Sequence, residues 1–295
     1  MWNKWWKRFL ELLIAVLLIS AAVFAQEKPS PAQEKPPADQ AKSAEPAEDN
    51  GDALRKAAQN PIASLISVPI QNNANFGIEP GYRTQDVLNI QPVIPMGVSK
   101  NWNLIIRWIT PIIWQPLPTS GPNVPEVGVY GLGDMQPTFF FSPKKAGKVI
   151  WGAGPIFQLP TATSDFLGQG KLGLGPSVVV LTQPGPWTLG VLVNNVWSVA
   201  GPSERANVNQ MLLQWFVNYD LKKGWYLTAQ PIVTANWEAD NGGRWVVPLG
   251  GGIGRVMKLG FQPVNLQLGF YGNVVHPANA SSWKMLAQIV FLYPK

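Results

Sequence analysis

Residues 225–238 read WYLTAQPIVTANWE, and they split cleanly into two alternating sets. Trp225, Leu227, Ala229, Pro231, Val233, Ala235 and Trp237 form one set; Tyr226, Thr228, Gln230, Ile232, Thr234, Asn236 and Glu238 form the other. Successive side chains of a strand point to opposite sides, so this stretch predicts a strand with one apolar and one wet face. Tryptophan closes the apolar face at both ends. About a dozen segments after residue 60 repeat the pattern, each stopping at a turn. Closed on itself in an exported chain, such a sheet is an all-β, transmembrane, antiparallel up-and-down β-barrel.

Working outward from that stretch, twelve strands are expected, at 62–74, 84–96, 102–115, 131–142, 148–160, 170–182, 187–199, 207–221, 225–238, 244–257, 263–275 and 283–293. Five links between them are tight: 97–101, 143–147, 183–186, 222–224 and 258–262. The longest is 116–130 (PLPTSGPNVPEVGVY). Short turns at one rim and longer loops at the other are the habit of bacterial membrane barrels, with the short turns on the periplasmic side. Trp102, Trp114, Trp151, Trp187, Trp197, Trp225, Trp237, Trp245 and Trp283 fall near strand ends, and only Trp108 and Trp215 fall mid-strand. Amphipathic rings favour the boundary between membrane and water, so two interfacial belts are expected. Core tryptophan of a soluble β-protein is the alternative. Pro92, Pro111, Pro137, Pro155, Pro176, Pro231 and Pro248 interrupt the strands, and each removes a ladder donor. Bulges or kinks are expected there.

The first 60 residues read differently. Lys4, Lys7 and Arg8 precede an apolar run from Phe9 to Phe24, and Val23-Phe24-Ala25 offers small residues for signal peptidase. A signal peptide over 1–25, cut after Ala25, is expected, because the run falls short of the ~20 apolar residues of a span. Residues 26–60 are rich in Pro, Ala, Glu and Lys and carry no aromatic residue, which predicts a disordered periplasmic tether with at most a turn of helix over 53–59. The barrel domain is then 61–295. Cysteine is absent, which removes disulfides and thiolate sites. The net charge of +6 overstates the basic character of any one surface: after residue 60 there are 15 Lys+Arg against 9 Asp+Glu. Seven of those lysines lie near short turns, which argues against nucleic-acid binding.

Three phrases carry a resemblance: residues 131–137 (GLGDMQP), 152–161 (GAGPIFQLPT) and 173–176 (GLGP). Over roughly 61–295 the chain resembles a family of bacterial outer-membrane barrels named for the meta-cleavage pathway of phenol degradation, some members of which are mislabelled after neuromedin U. The resemblance implies an outer-membrane location and uptake of small, aromatic solutes, and it supplies no binding residues. The chain departs from the usual barrel ending, an aromatic last residue, by finishing Phe291-Leu292-Tyr293-Pro294-Lys295. The pair Phe291 and Tyr293 is the expected signal to the barrel-insertion machinery.

Among chemically suggestive residues, Gly250 to Gly254 followed by Arg255 lacks the Lys-Ser/Thr ending of a phosphate loop and reads as glycine easing a strand bend. His276 is the only histidine, so no multi-histidine metal site exists. A serine hydrolase around His276, Asn273, Asn279, Ser281 and Ser282 has no evident oxyanion site, and no enzyme or cofactor is expected. Arg107 lies opposite Leu104, Ile106, Trp108, Ile112 and Trp114, and a charge facing lipid costs ~2–4 kcal/mol at mid-depth, so it is assigned to the lumen. Asp134, Gln214, Asp220, Glu238, Arg255 and Tyr271 are further lumen or rim candidates, forming either a charge-selecting constriction or a structural network. The expected function is passive passage, inward or outward, of small aromatic or apolar solutes through an outer-membrane channel in contact with lipid. The alternatives are a plugged structural barrel and a soluble periplasmic β-domain binding an apolar ligand.

Overall fold

In the computed structural model the alternating segments pair edge to edge into one closed antiparallel sheet. It describes residues 46–117, 127–145 and 147–294, with side chains from Gly51 onward. The expected signal peptide, residues 26–45 of the expected tether, and most of the expected long loop 116–130 lie outside the described residues.

The strand segments are β1 (Ile66–Ile78), β2 (Arg83–Ile90), β3 (Val93–Gly97), β4 (Trp102–Pro116), β5 (Gly128–Leu132), β6 (Gln136–Pro143), β7 (Val149–Gln158) and β8 (Leu172–Thr182). They continue with β9 (Trp187–Ala200), β10 (Asn209–Asp220), β11 (Trp225–Ala229), β12 (Ile232–Asn236), β13 (Trp245–Leu259), β14 (Gln262–Val275) and β15 (Trp283–Tyr293). Three staves are each broken in two, β2/β3 at Gln91-Pro92, β5/β6 at residues 133–135 and β11/β12 at Gln230-Pro231, so the barrel has twelve staves. The sheet closes where β1 meets β15, from Ile66 opposite Tyr293 to Phe76 opposite Trp283. At that seam the Phe76 and Trp283 rings stack with centroids 4.1 Å apart.

Alternation explains the wall. In β8, Gly173, Gly175, Ser177, Val179 and Leu181 are buried inside, while Leu174, Val178 and Val180 are exposed outside. Phe141, Val191, Leu227, Ile253 and Phe270 extend this exposed apolar surface around the barrel. A contiguous apolar exterior of this extent is what a bilayer, rather than water, stabilises.

The prolines are accommodated by local breaks. Pro92 and Pro231 split staves, and Pro248 sits at a register shift in the β13–β14 ladder. Pro155 and Pro176 face each other across β7 and β8. On the far sides of that hairpin the β6–β7 ladder pairs only Thr138 with Ile156 and Phe141 with Ala153, and the β8–β9 ladder skips from Leu174 to Ser177. Both missing donors thus fall beside an existing gap instead of interrupting the hairpin itself.

The N-terminal part of the first stave differs from expectation. The alternation around Ile62 and Leu65 resembled a strand over 62–74, but β1 begins at Ile66 and runs on to Ile78. Residues 59–65 instead turn into the barrel, continuing from a 13-residue helix, α1 (Pro46–Ala58), longer than the single turn expected. Proline suits the first position of a helix, and Arg55 and Lys56 in the last turn suit its dipole.

Candidate functional site

The rim with the short turns is occupied by residues 54–65. Ile62 is 3% exposed and packs among Val93, Ile105, Phe140, Val179, Leu192 and Phe216, inward residues of several staves. Ala63 and Leu65, with Leu54, Ala57 and Ala58 of α1, pack against Tyr226, Val256, Val290 and Leu292. Polar contacts fix the helix: Arg55 Nε lies 3.0 Å from Asp220 Oδ1, Gln59 Nε2 donates to the same oxygen at 2.7 Å, and Arg55 Nη1 donates to the Leu221 carbonyl. Lys56 and Gln183 exchange side-chain-to-carbonyl hydrogen bonds. The segment is a plug seated in the barrel mouth.

Above it lies a central cavity of ≈ 360 Å³, and between wall and plug a smaller one of ≈ 140 Å³. Gln71, Gln91, Arg107, Leu192, Gln214 and Ile232 border both, forming a collar between them. Arg107 Nη2 donates to Gln91 Oε1 at 2.8 Å, which fixes the guanidinium in the collar. Among the described residues 24 line the central cavity; nine are Asn or Gln and none is acidic, so its polarity is that of neutral amides with two cations, Arg107 and Lys284. Lys284 lies 5.2 Å from the centre of the Tyr271 ring.

The candidates named from sequence separate into three groups. Arg107 and Gln214 line the collar, and Tyr271 lies buried on the inner face beneath Lys284. Asp220 belongs to the plug contacts. Asp134 accepts from the Ala162 and Gln169 amides at 3.2 and 2.6 Å, bracing the loop 159–171 at the opposite rim, and Glu238 lies exposed in the β12–β13 turn. Arg255 stands on the outer face: it pairs directly with Trp225, and its guanidinium lies 5.0 Å from the Trp225 ring. Its neighbours Gly254 and Val256 face inward, where Tyr226 lies against Gly254 with no room for a Cβ. The lumen assignment of Arg255 is therefore corrected to the exterior of the short-turn rim.

The tryptophans sort to two levels. Trp102, Trp151, Trp187 and Trp225 lie at the short-turn end; Trp114, Trp197, Trp237, Trp245 and Trp283 lie at the other. Trp102 and Trp151 meet edge to face at 5.9 Å, as do Trp237 and Trp245 at 5.5 Å. Trp237 Nε1 also donates to Asn195 Oδ1 at 2.9 Å. Around His276 no hydrolytic set assembles among the described residues: its Nδ1 lies 2.9 Å from the Pro277 carbonyl, Asn273 donates to Ser281, and Ser282 donates to the Gly77 carbonyl.

Sequence reasoning passed over Lys284, Arg55 and Gln59. It also passed over a polar pair on the outer face, where Asn72 Nδ2 donates to Asp86 Oδ1 at 2.6 Å, beside Trp114.

The class these features define is a closed twelve-stave antiparallel β-barrel with an apolar exterior and a polar, plugged interior. No family model matches the sequence, and no curated protein matches it. Among solved structures it is similar to an outer-membrane channel from Pseudomonas putida F1, with a TM-score of 0.58 at 13% identity over 78% of this chain and 94% of that one. It is also similar to the NanC porin (TM-score 0.48, 9% identity, 78% and 100% coverage) and the CymD monoaromatic hydrocarbon channel (0.43, 10%, 78% and 88%). The first likeness establishes a shared barrel fold.

Proposed function

We propose that the chain is an outer-membrane channel through which small solutes pass down their own gradients. The observation that carries this reading is the ≈ 360 Å³ amide-lined cavity enclosed by a closed wall whose exterior is apolar. A wall of that kind holds solute inside and lipid outside, and neutral amides bind polar groups without trapping them. The first 25 residues act as a cleaved signal peptide, residues 26–45 as a periplasmic tether, and the two tryptophan levels as interfacial belts. Phe291 and Tyr293 serve the insertion machinery. The chain belongs, in this reading, to the barrels named for the meta-cleavage pathway, and the fold shared with the Pseudomonas putida channel supports it.

Reconstitution of the mature chain into planar bilayers tests the proposal. Discrete conductance steps are expected, rare in the wild type and frequent once the plug is released. A barrel that inserts but never conducts, even without residues 46–65, overturns it. That outcome would favour the plugged structural barrel, the second reading, which the seating of Ile62 specifically supports.

A further inference from the structure

We infer that the central cavity is a binding site for a small apolar monocarboxylate, an aromatic acid being the simplest example, rather than for a neutral hydrocarbon. The inference rests on the channel reading and names the solute class for that site.

Charge carries the argument. Among the described residues, the two ionisable side chains that reach the cavity are both cations, Arg107 and Lys284, and no Asp or Glu lines it. Neither is paired: among the described residues the ion pairs are Arg55–Asp52, Arg55–Asp220 and Arg205–Asp165. Asp220 is held by Arg55 and Gln59 of the plug, and Asp86 points outward from the wall. Cations enclosed by a low-dielectric wall without a counter-ion attract an anion far more strongly than they would in water.

Geometry then narrows the anion. One edge of the Arg107 guanidinium is taken by Gln91 at 2.8 Å, which orients the group and leaves further donors for a planar carboxylate. Lys284 supplies a point charge from across the β1–β15 seam, its strand position directly opposite Asn75. The amides lining the same cavity, including Asn73, Asn89 and Gln214, can donate to the remaining oxygen lone pairs. The rest of the lining is apolar, with Ile109, Phe140, Ile156, Leu212, Ile232 and Val246 facing the same space. A body of hydrocarbon with one carboxylate matches both parts. A phosphate or sugar acid would leave the apolar patches against polar surface, and a hydrocarbon would leave two cations without a counter-ion.

The test is calorimetric titration of the full mature chain in detergent with sodium benzoate and with benzyl alcohol, each against a detergent blank. Benzoate is expected to bind at least tenfold more tightly than benzyl alcohol. Arg107→Gln and Lys284→Gln should each lower the benzoate-to-alcohol affinity ratio about tenfold. Equal binding of the two probes, no benzoate binding by the wild type, or an unchanged ratio in Lys284→Gln would overturn the inference. Lys284→Gln decides alone if Arg107→Gln does not give a heat-modifiable folded band. Bilayer recordings separate the two levels of the argument. Benzoate preference without any conductance sinks the channel reading and leaves the anion site standing, whereas conductance without benzoate preference does the reverse.

Discussion

Arg55 Nε and Asp220 Oδ1 lie 3.0 Å apart, joining the last turn of α1 to the end of β10, with the two side chains only 10% and 3% exposed. Among the described residues Asp220 forms no other ion pair, so the plug helix is keyed to the wall at one carboxylate, which Gln59 shares. Removing one member of a buried ion pair strands the other and costs ~3–5 kcal/mol, on the order of a hundredfold or more in the docking equilibrium. Arg55→Ala should therefore free the helix while leaving the barrel closed. The readout is tryptic cleavage after Lys56, expected to accelerate by about that factor; an unchanged rate would show that the apolar contacts alone hold the plug.

Removal of residues 46–65 should leave a barrel that still folds. The β1–β15 closure begins at Ile66 opposite Tyr293, so no ladder pairing is lost. The expected result is retained heat-modifiable migration with larger and more frequent conductance steps. A variant that fails to fold would mean that Ile62 and Leu65 are core residues of the barrel and not a removable plug.

The twelve staves and their five tight turns were legible in the sequence because alternation survives even where proline breaks a strand, as in Trp225 to Glu238. What was not legible has physical reasons. Ile62 and Leu65 alternate with their neighbours as strand residues do, and nothing local says that their apolar side chains fill the mouth instead of facing lipid. Arg255 was misassigned because Gly250, Gly252 and Gly254 present no side chains, so the inner face of β13 carries no pattern to count from; only its register against Trp225 fixes the face. Lys284 stands in a mixed series with Leu286, Gln288 and Val290, and its place in the cavity follows from pairing across the closing seam. Arg107 was legible, because an unbroken apolar set lies on the opposite face.

The Tyr226 ring rests against Gly254, and its hydroxyl donates to Asn265 Oδ1 at 2.8 Å. A side chain at residue 254 would have to displace the ring and break that bond. Gly254→Val is expected to cost roughly 1–3 kcal/mol for the forced repacking, plus ~1 kcal/mol for the lost hydrogen bond. Tyr226→Phe, which keeps the ring, should show only the smaller loss. Equilibrium unfolding in urea with lipid vesicles measures both, and equal losses in the two variants would contradict the packing argument.

On the outer face Asp86 accepts from the Asn72 side chain and from the Val87 backbone amide. Asn72→Ala should cost about 1–3 kcal/mol, since the carboxyl group then keeps only the Val87 amide in apolar surroundings. Replacing both residues by leucine removes the polar pair altogether, and such replacements are commonly neutral or stabilising. The double variant is therefore expected to unfold at a higher urea concentration than Asn72→Ala. Additive losses would mean that the Val87 amide alone satisfies Asp86 and that the Asn72 contact carries no coupling.

Arg255 gives the sharpest contrast between the two faces of the wall. From the lumen it would govern ion selectivity; it stands instead on the outside of the short-turn rim, 5.0 Å from the Trp225 ring. Arg255→Ala should thus leave conductance and reversal potential as in the wild type while lowering stability in vesicles by ~0.5–1 kcal/mol, the range of an exposed cation–π contact. Arg107→Ala should do the opposite, changing the reversal potential through loss of a collar cation. Bilayer recordings of the two variants under one salt gradient provide the comparison, and a selectivity change in Arg255→Ala would contradict the outward placement.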